Sequence, residues 1–204
     1  MDAWDIPWGA SGKPERGLSQ LGSLGGGIHF IELQPCVETD TLFVQVHTGS
    51  RGFGHGLATN YFQLAKEESG GALTDLDLGY FRPESLHFDA YVNAVAAGGN
   101  YAILNRLVIY EQIADAFRKV FKEDLELVYE ISHNLVQAEH HPEFGDVWVH
   151  RKGATRGGDG PSRPHPRIES RLQLHPDARA GSAAERVFGE PWRGPPNPRW
   201  CHTG

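Results

Sequence analysis

The sequence predicts an α+β domain in which short strands surround a site and helices pack outside them. Three observations predict it. Short apolar runs, Ile28 to Leu33 and Leu42 to His47, adjoin glycine-rich turns. One long stretch, Ser85 to Phe121, carries Tyr110, Ile113, Phe117 and Val120/Phe121 at helical spacing. The chain has 204 residues, 39% of them hydrophobic and 10% aromatic, enough for one substantial core.

Residues 1–19 are polar, without periodicity, and read as an irregular N-terminal segment. A glycine turn, Gly22 to Gly27, leads into the first strand, Ile28 to Leu33, and the second follows at Leu42 to His47. Residues 56–85 read as mixed and loop-rich, with Pro83 as a stop or start. The helix of 85–121 is expected to break or kink at Gly98-Gly99, because glycine is a poor helix former. Leu125 to Ile131 alternates apolar and polar and reads as a strand. A helix is expected over Leu135 to His141, with Asn134 either its cap or a ligand contact. Val147 to Val149 is a further short strand.

After Gly160 the character changes. Residues 161–204 hold eight of the 13 prolines and seven arginines, and strand-like alternation disappears. Their net charge of +3 leaves −10 on residues 1–160 of a chain whose formal charge is −7. The domain is therefore expected over 20–160, and 161–204 is expected to be disordered or foreign to it.

The same composition narrows the function. An acidic chain is not a nonspecific nucleic-acid coat, although local basic turns can still hold phosphate. No apolar run is long enough to span a membrane, and the polar start predicts no signal peptide. Only Cys36 and Cys201 are present, which predicts isolated structural thiols, no disulfide framework, and a cytoplasmic protein. Ser50, in Gly49-Ser50-Arg51-Gly52, does not match the Gly-x-Ser-x-Gly elbow, and no helix is expected after it. The Gly52 to Gly56 segment lacks the Gly-Lys-Ser/Thr ending of a Walker loop.

Four segments place histidine or basic groups at strand ends. They are Gly25 to Glu32, His47 to His55, Ile131 to Asn134, and Val149 to Arg156. His29, His47 and His133 make a candidate trio of imidazole ligands for a divalent metal. Each histidine alone reads more simply as a structural residue; the case rests on three recurring in one context. Glu32, three residues from His29, would face the other side of a strict strand, which removes it from the same metal and leaves it to accept hydrogen bonds from a base or sugar. Arg51 brings a planar fork suited to phosphate. Arg151, Lys152 and Arg156 form either a phosphate-binding patch or a solvated turn. His55, His140 and His141 read as surface residues.

In this order the segments resemble the RtcB-type RNA ligases. The resemblance is carried by Gln20 to Gly25 with His29-Phe30-Ile31-Glu32, by His47-Thr48-Gly49-Ser50-Arg51-Gly52, by Asn100-Tyr101-Ala102 with Asn105-Arg106, by Ser132-His133-Asn134, and by His150 to Arg156. It implies an RtcB-like fold, incomplete at both ends, and an enzyme that joins an RNA 3′-phosphate or 2′,3′-cyclic phosphate to a 5′-hydroxyl, with GTP and two Mn²⁺ ions, in tRNA splicing and RNA repair. It implies that His29, His47 and His133 hold manganese. His29, Phe30, Ile31, Glu32, His133 and Asn134 would line the guanosine nucleotide. Arg51, Arg151 and Lys152 would meet RNA phosphate. The family's metal-bridging Cys and Asp segment and its His-Gly-Ala-Gly-Arg nucleophile are not found, and Ile28 stands in place of an Asn. The catalytic residue is therefore unknown, and the chain alone is expected not to ligate; a nucleotide- or RNA-binding remnant and a decayed fragment are the alternatives. The expected reason for the tail is a changed reading frame.

Overall fold

The computed structural model describes residues 14–36, 41–70, 75, 78–154 and 170–174. They fall into two units, one drawn from residues 24–48, 106–133 and 152–204, the other from 1–23, 49–105 and 134–151. The first is a sheet unit and the second a mostly helical one, so the α+β class is as the sequence predicts.

The sheet unit is built on strand β2, Thr41–His47. Its alternation sends Leu42, Val44 and Val46 to one face. There they pack on Ile109, Tyr110, Ile113, Ala114 and Phe117 of helix α3, Phe88–Phe121, and on Leu125 and Leu127. Fully burying side chains of this size contributes about 1.5–3 kcal/mol each. Strand β1, Phe30–Cys36, pairs antiparallel with one edge of β2. Strand β6, Ser170–Leu174, pairs antiparallel with the other, and β3, Leu125–Glu130, pairs with β6. The sheet order is β1-β2-β6-β3.

The helical unit comprises α1, Pro14–Gln20, α2, Arg51–Ser69, the first half of α3, and a hairpin of β4, Asn134–His141, with β5, Gly145–Lys152, whose last residue is assigned to the sheet unit. Leu57 and Tyr61 recur at four-residue spacing on α2 and meet Ala94, with Phe53, Leu64, Phe81, Ala90 and Tyr91 around them. Phe53 stacks on Tyr101 with ring centroids 4.9 Å apart.

Several sequence expectations are corrected. The loop-rich reading of 56–85 gives way to α2, which runs to Ser69 and starts directly after Ser50. Three glycines near its start, Gly52, Gly54 and Gly56, mask its helical character. Gly98-Gly99 does not break α3, which is continuous over 34 residues. A Cβ on Gly98 would lie 3.9 Å from the Cα of Gly54, ordinary van der Waals contact, so the packing beside α3 leaves room for a side-chain carbon there. Leu135 to His141 is strand, not helix, and Asn134 opens it. Cys36 closes β1 rather than lying in a loop; Cys201 lies outside the described residues, so the expectation of two isolated thiols falls there too. Helix α1 straddles residue 19, and β6 lies beyond residue 160, inside the sheet, so the stretch after 160 does not lack strand as expected. The rest of the expected tail lies outside the described residues.

Candidate imidazole site

The site begins with backbone conformation. Gly22, Gly25 and Gly27 all have positive φ, 75°, 96° and 75°, so the turn before His29 needs residues without a Cβ. His47 ends β2 and is buried. Its Nδ1 lies 3.0 Å from the Ile28 carbonyl. A carbonyl only accepts, so Nδ1 is the donor of this bond, and in a neutral ring Nε2 is then the atom left to bind a metal.

Three rings gather on His47. His133, buried, lies 5.2 Å away between centroids, and His29 lies 5.9 Å away edge-on. The Phe30 ring lies at 5.2 Å. The trio chosen from the sequence is thus one cluster within the sheet unit. Phe30 pairs with His47 and Glu32 with Gln45, so Phe30 and Glu32 lie on the His47 face. Because β1 starts at Phe30, after His29, the expectation of opposite faces for His29 and Glu32 does not apply. The register instead puts Glu32 two residues along the strand from Phe30, exposed, beside exposed Ile31.

The loops that present His47 and His133 are tied down by residues given no role at the sequence level. Arg106 of α3, with 1% of its side chain exposed, donates from Nη1 to the Thr48 carbonyl at 3.0 Å. Its Nη2 donates to Ser132 Oγ at 3.0 Å, and Nε and Nη2 both meet Glu130 Oε1. Thr48 Oγ1 donates to the Leu24 carbonyl at 2.6 Å. The Ala154 N–H donates to the His133 carbonyl at 3.1 Å. A signal was present in the sequence: Arg106 sits one turn before Ile109 on the apolar stripe of α3, a place where a charge needs a reason.

The remaining candidates belong to different units. Lys152 is grouped with the sheet unit; Arg51, Asn134 and Arg151 belong to the helical one. Arg51 opens α2 with φ at 55°, and its Nε donates to Ser23 Oγ at 3.3 Å. The Gly52 N–H, at the α2 start, donates to Gln20 Oε1 at 2.8 Å. Asn105, fully buried, takes the Gly22 N–H at 2.7 Å and donates to the Ser23 and Gly49 carbonyls at 3.1 and 3.2 Å. Two glycine turns are thereby fixed through one amide. Burial raises the Tyr101 pKa, an effect the Arg51 charge partly offsets. Arg151 makes a forked pair with Glu139 at 2.6 and 2.8 Å, so a phosphate would have to compete with that carboxylate. Asn134 is exposed at the start of β4.

Comparison with known proteins adds the family. The model of the family described as "tRNA-splicing ligase RtcB" matches residues 3–172, reaching beyond both boundaries the sequence suggested. The chain is 38% identical over 167 residues to the "tRNA-splicing ligase RtcB" of Pyrobaculum aerophilum, covering 69% of this chain and 34% of that protein. It is 40% identical over 166 residues to the protein of the same name from Methanocaldococcus jannaschii, covering 70% and 17%. It is 37% identical over 161 residues to the "RNA-splicing ligase RtcB" of Mycobacterium tuberculosis, covering 70% and 37%. The chain thus spans about a third or less of the length of these relatives.

Proposed function

The chain belongs to the RtcB tRNA-splicing ligase family, and from that premise we propose that it carries the imidazole part of a manganese site and, in addition, residues that meet nucleotide and RNA in an RNA-joining reaction. The reaction is the GTP-dependent joining of an RNA 3′-phosphate, or 2′,3′-cyclic phosphate, to a 5′-hydroxyl. The single observation that carries the reading is the gathering of His29, His47 and His133.

The fit to a metal can be weighed on that cluster. Imidazoles sharing one ion at about 2 Å have centroids roughly 5 Å apart, and the separations here are 5.2 and 5.9 Å. The His47 tautomer leaves Nε2 as the ligand atom. Among the described residues no group of three or more His, Cys, Asp and Glu side chains is placed to hold one ion. The three imidazoles thus lie side by side without closing on one ion, and the Mn²⁺ reading is supported by their proximity and by the family rather than by a formed ligand set. His29, His47 and His133 would hold the ion, which when bound neutralises crowded phosphate charge.

The chain's own residues do the rest. Phe30 offers a ring face to a base, and the exposed Glu32 carboxylate accepts N–H groups from a guanine edge. Asn134 offers an amide to the nucleotide. Arg51 and Lys152 present cations to RNA phosphates, with Arg151 contributing where phosphate displaces Glu139. No described residue is assigned as the nucleophile that would take GMP.

The test is Mn²⁺ titration of the wild type and of His47→Ala. Loss of this ligand weakens binding more than about tenfold, the lower bound for losing even an outer-shell partner; equal uptake by both proteins overturns the metal reading. Incubation with labelled GTP separates the enzyme from its alternative, since GTP held without a covalent guanylate marks a non-catalytic nucleotide- and RNA-binding remnant. The expected result for this chain alone is binding without RNA joining.

A further inference from the structure

We propose that Arg106 is the positioning residue that keeps His47 and His133 within reach of one another. It clamps the residue after the first and the residue before the second. Thr48 and Ser132 lie in segments without regular structure; the β1-β2 ladder ends at His47 with its Phe30 pair, and no ladder holds His133. One guanidinium reaches both, through Nη1 to the Thr48 carbonyl and Nη2 to Ser132 Oγ, each at 3.0 Å. Glu130, at the end of β3, meets the same guanidinium and sets its plane. The side chain comes from the middle of the continuous helix α3, a rigid mount.

The chemistry of the side chain argues for this role over plain filling. A leucine or methionine would fill the space at no desolvation cost, whereas burying a charge is costly unless it is fully bonded. Only arginine offers several donors in one fixed plane; lysine keeps the charge opposite Glu130 but cannot hold two diverging acceptors in register. The clamp deepens the metal reading, and only the Mn²⁺ arm of its test rests on that reading.

The experiment compares the full chain with Arg106→Lys, Ser132→Ala and the control Ile109→Ala. The control loses core packing on the same helix without touching the clamp. Two quantities are read: the ring-to-ring nuclear Overhauser contact between His47 and His133 in metal-free protein, and Mn²⁺ affinity by titration. Arg106→Lys is expected to lose the ring contact and to weaken Mn²⁺ binding by about 10- to 100-fold, the range for outer-shell partners of ligands. Ser132→Ala is expected to shift both in the same direction by less, and Ile109→Ala to lower the melting temperature with both retained. A folded Arg106→Lys with both quantities unchanged overturns the proposal, as does an Ile109→Ala that loses as much as Arg106→Lys. If Arg106→Lys fails to fold, Ser132→Ala decides, and an unchanged ring contact there overturns the clamp. If the wild type takes up no Mn²⁺, the metal reading fails and the ring contact alone judges Arg106.

Discussion

The two units bury different things. Seven polar or charged side chains are buried among the described residues: Thr41, Gln45, His47, Thr48, Arg106 and His133 in the sheet unit, and Asn105 in the helical one. The helical unit fills its core with Leu57, Tyr61, Ala94 and the aromatic rings of Phe53, Phe81 and Tyr91. A buried polar group contributes little net stability even when bonded and costs about 1–3 kcal/mol when it is not. A region that accumulates such groups is organised for something other than stability alone. The contrast teaches that the sheet unit is shaped around chemistry and the helical unit around packing.

The largest effect that would break this contrast lies in the helical unit. Leu57→Ala removes a buried side chain at 3% exposure and should cost about 2–5 kcal/mol in denaturant unfolding. Mn²⁺ affinity below the unfolding transition should be unchanged, and a matching loss of affinity would show that the division of labour is wrong. A smaller effect separates two glycines of one crossing. A Cβ at Gly54 would lie 2.0 Å from Ser50 Oγ and 2.6 Å from Ser50 Cβ, so Gly54→Ala should destabilise by roughly 1–3 kcal/mol. Gly98→Ala meets nothing nearer than 3.9 Å and should stabilise by about 0.5–1 kcal/mol through helix propensity. Thermal melts of the pair check the opposite signs.

The smallest effect concerns tyrosine ionisation. Burial raises the Tyr61 and Tyr91 pKa values above the ordinary 10.0. The folded state therefore favours neutral phenol, and this contribution is complete below pH 10 and lost as the pH rises through the raised folded values. The Tyr61 hydroxyl is buried without a hydrogen-bond partner among the described residues. Tyr61→Phe should thus be neutral or slightly stabilising at pH 7 and should flatten the fall in stability above pH 10. A steeper alkaline fall in the variant would contradict the burial argument.

Residue patterns explain why part of this was legible and part was not. The alternation of Leu42, Val44 and Val46 announces β2, and the recurrence of Tyr110, Ile113 and Phe117 announces the second half of α3. The three histidines stood out because each follows or precedes such an element. Helix α2 was hidden because its buried stripe is narrow, Leu57, Tyr61 and Ala65, and its first turns are glycine-rich. The hairpin strand Asn134–His141 carries polar residues on both faces, leaving no alternation to read. Strand β6 sits among prolines and arginines, and what identifies it is pairing with β2 and β3, which are distant in sequence. Asn105 and Arg106 belong to the sequence pattern that resembles the family, but their bonds to three loop segments depend on where α3 lies.

Arg51 stands where the backbone asks for glycine. Its φ of 55° costs an ordinary residue about 1–2 kcal/mol, a penalty glycine does not carry. Position 51 can therefore tell apart two kinds of selection applied to a randomised library. Selection for heat resistance alone should drift toward glycine there. Selection for retention of phosphate-bearing ligands should keep arginine and accept the lower melting point. The codon that survives reports which of the two pressures the site has answered to.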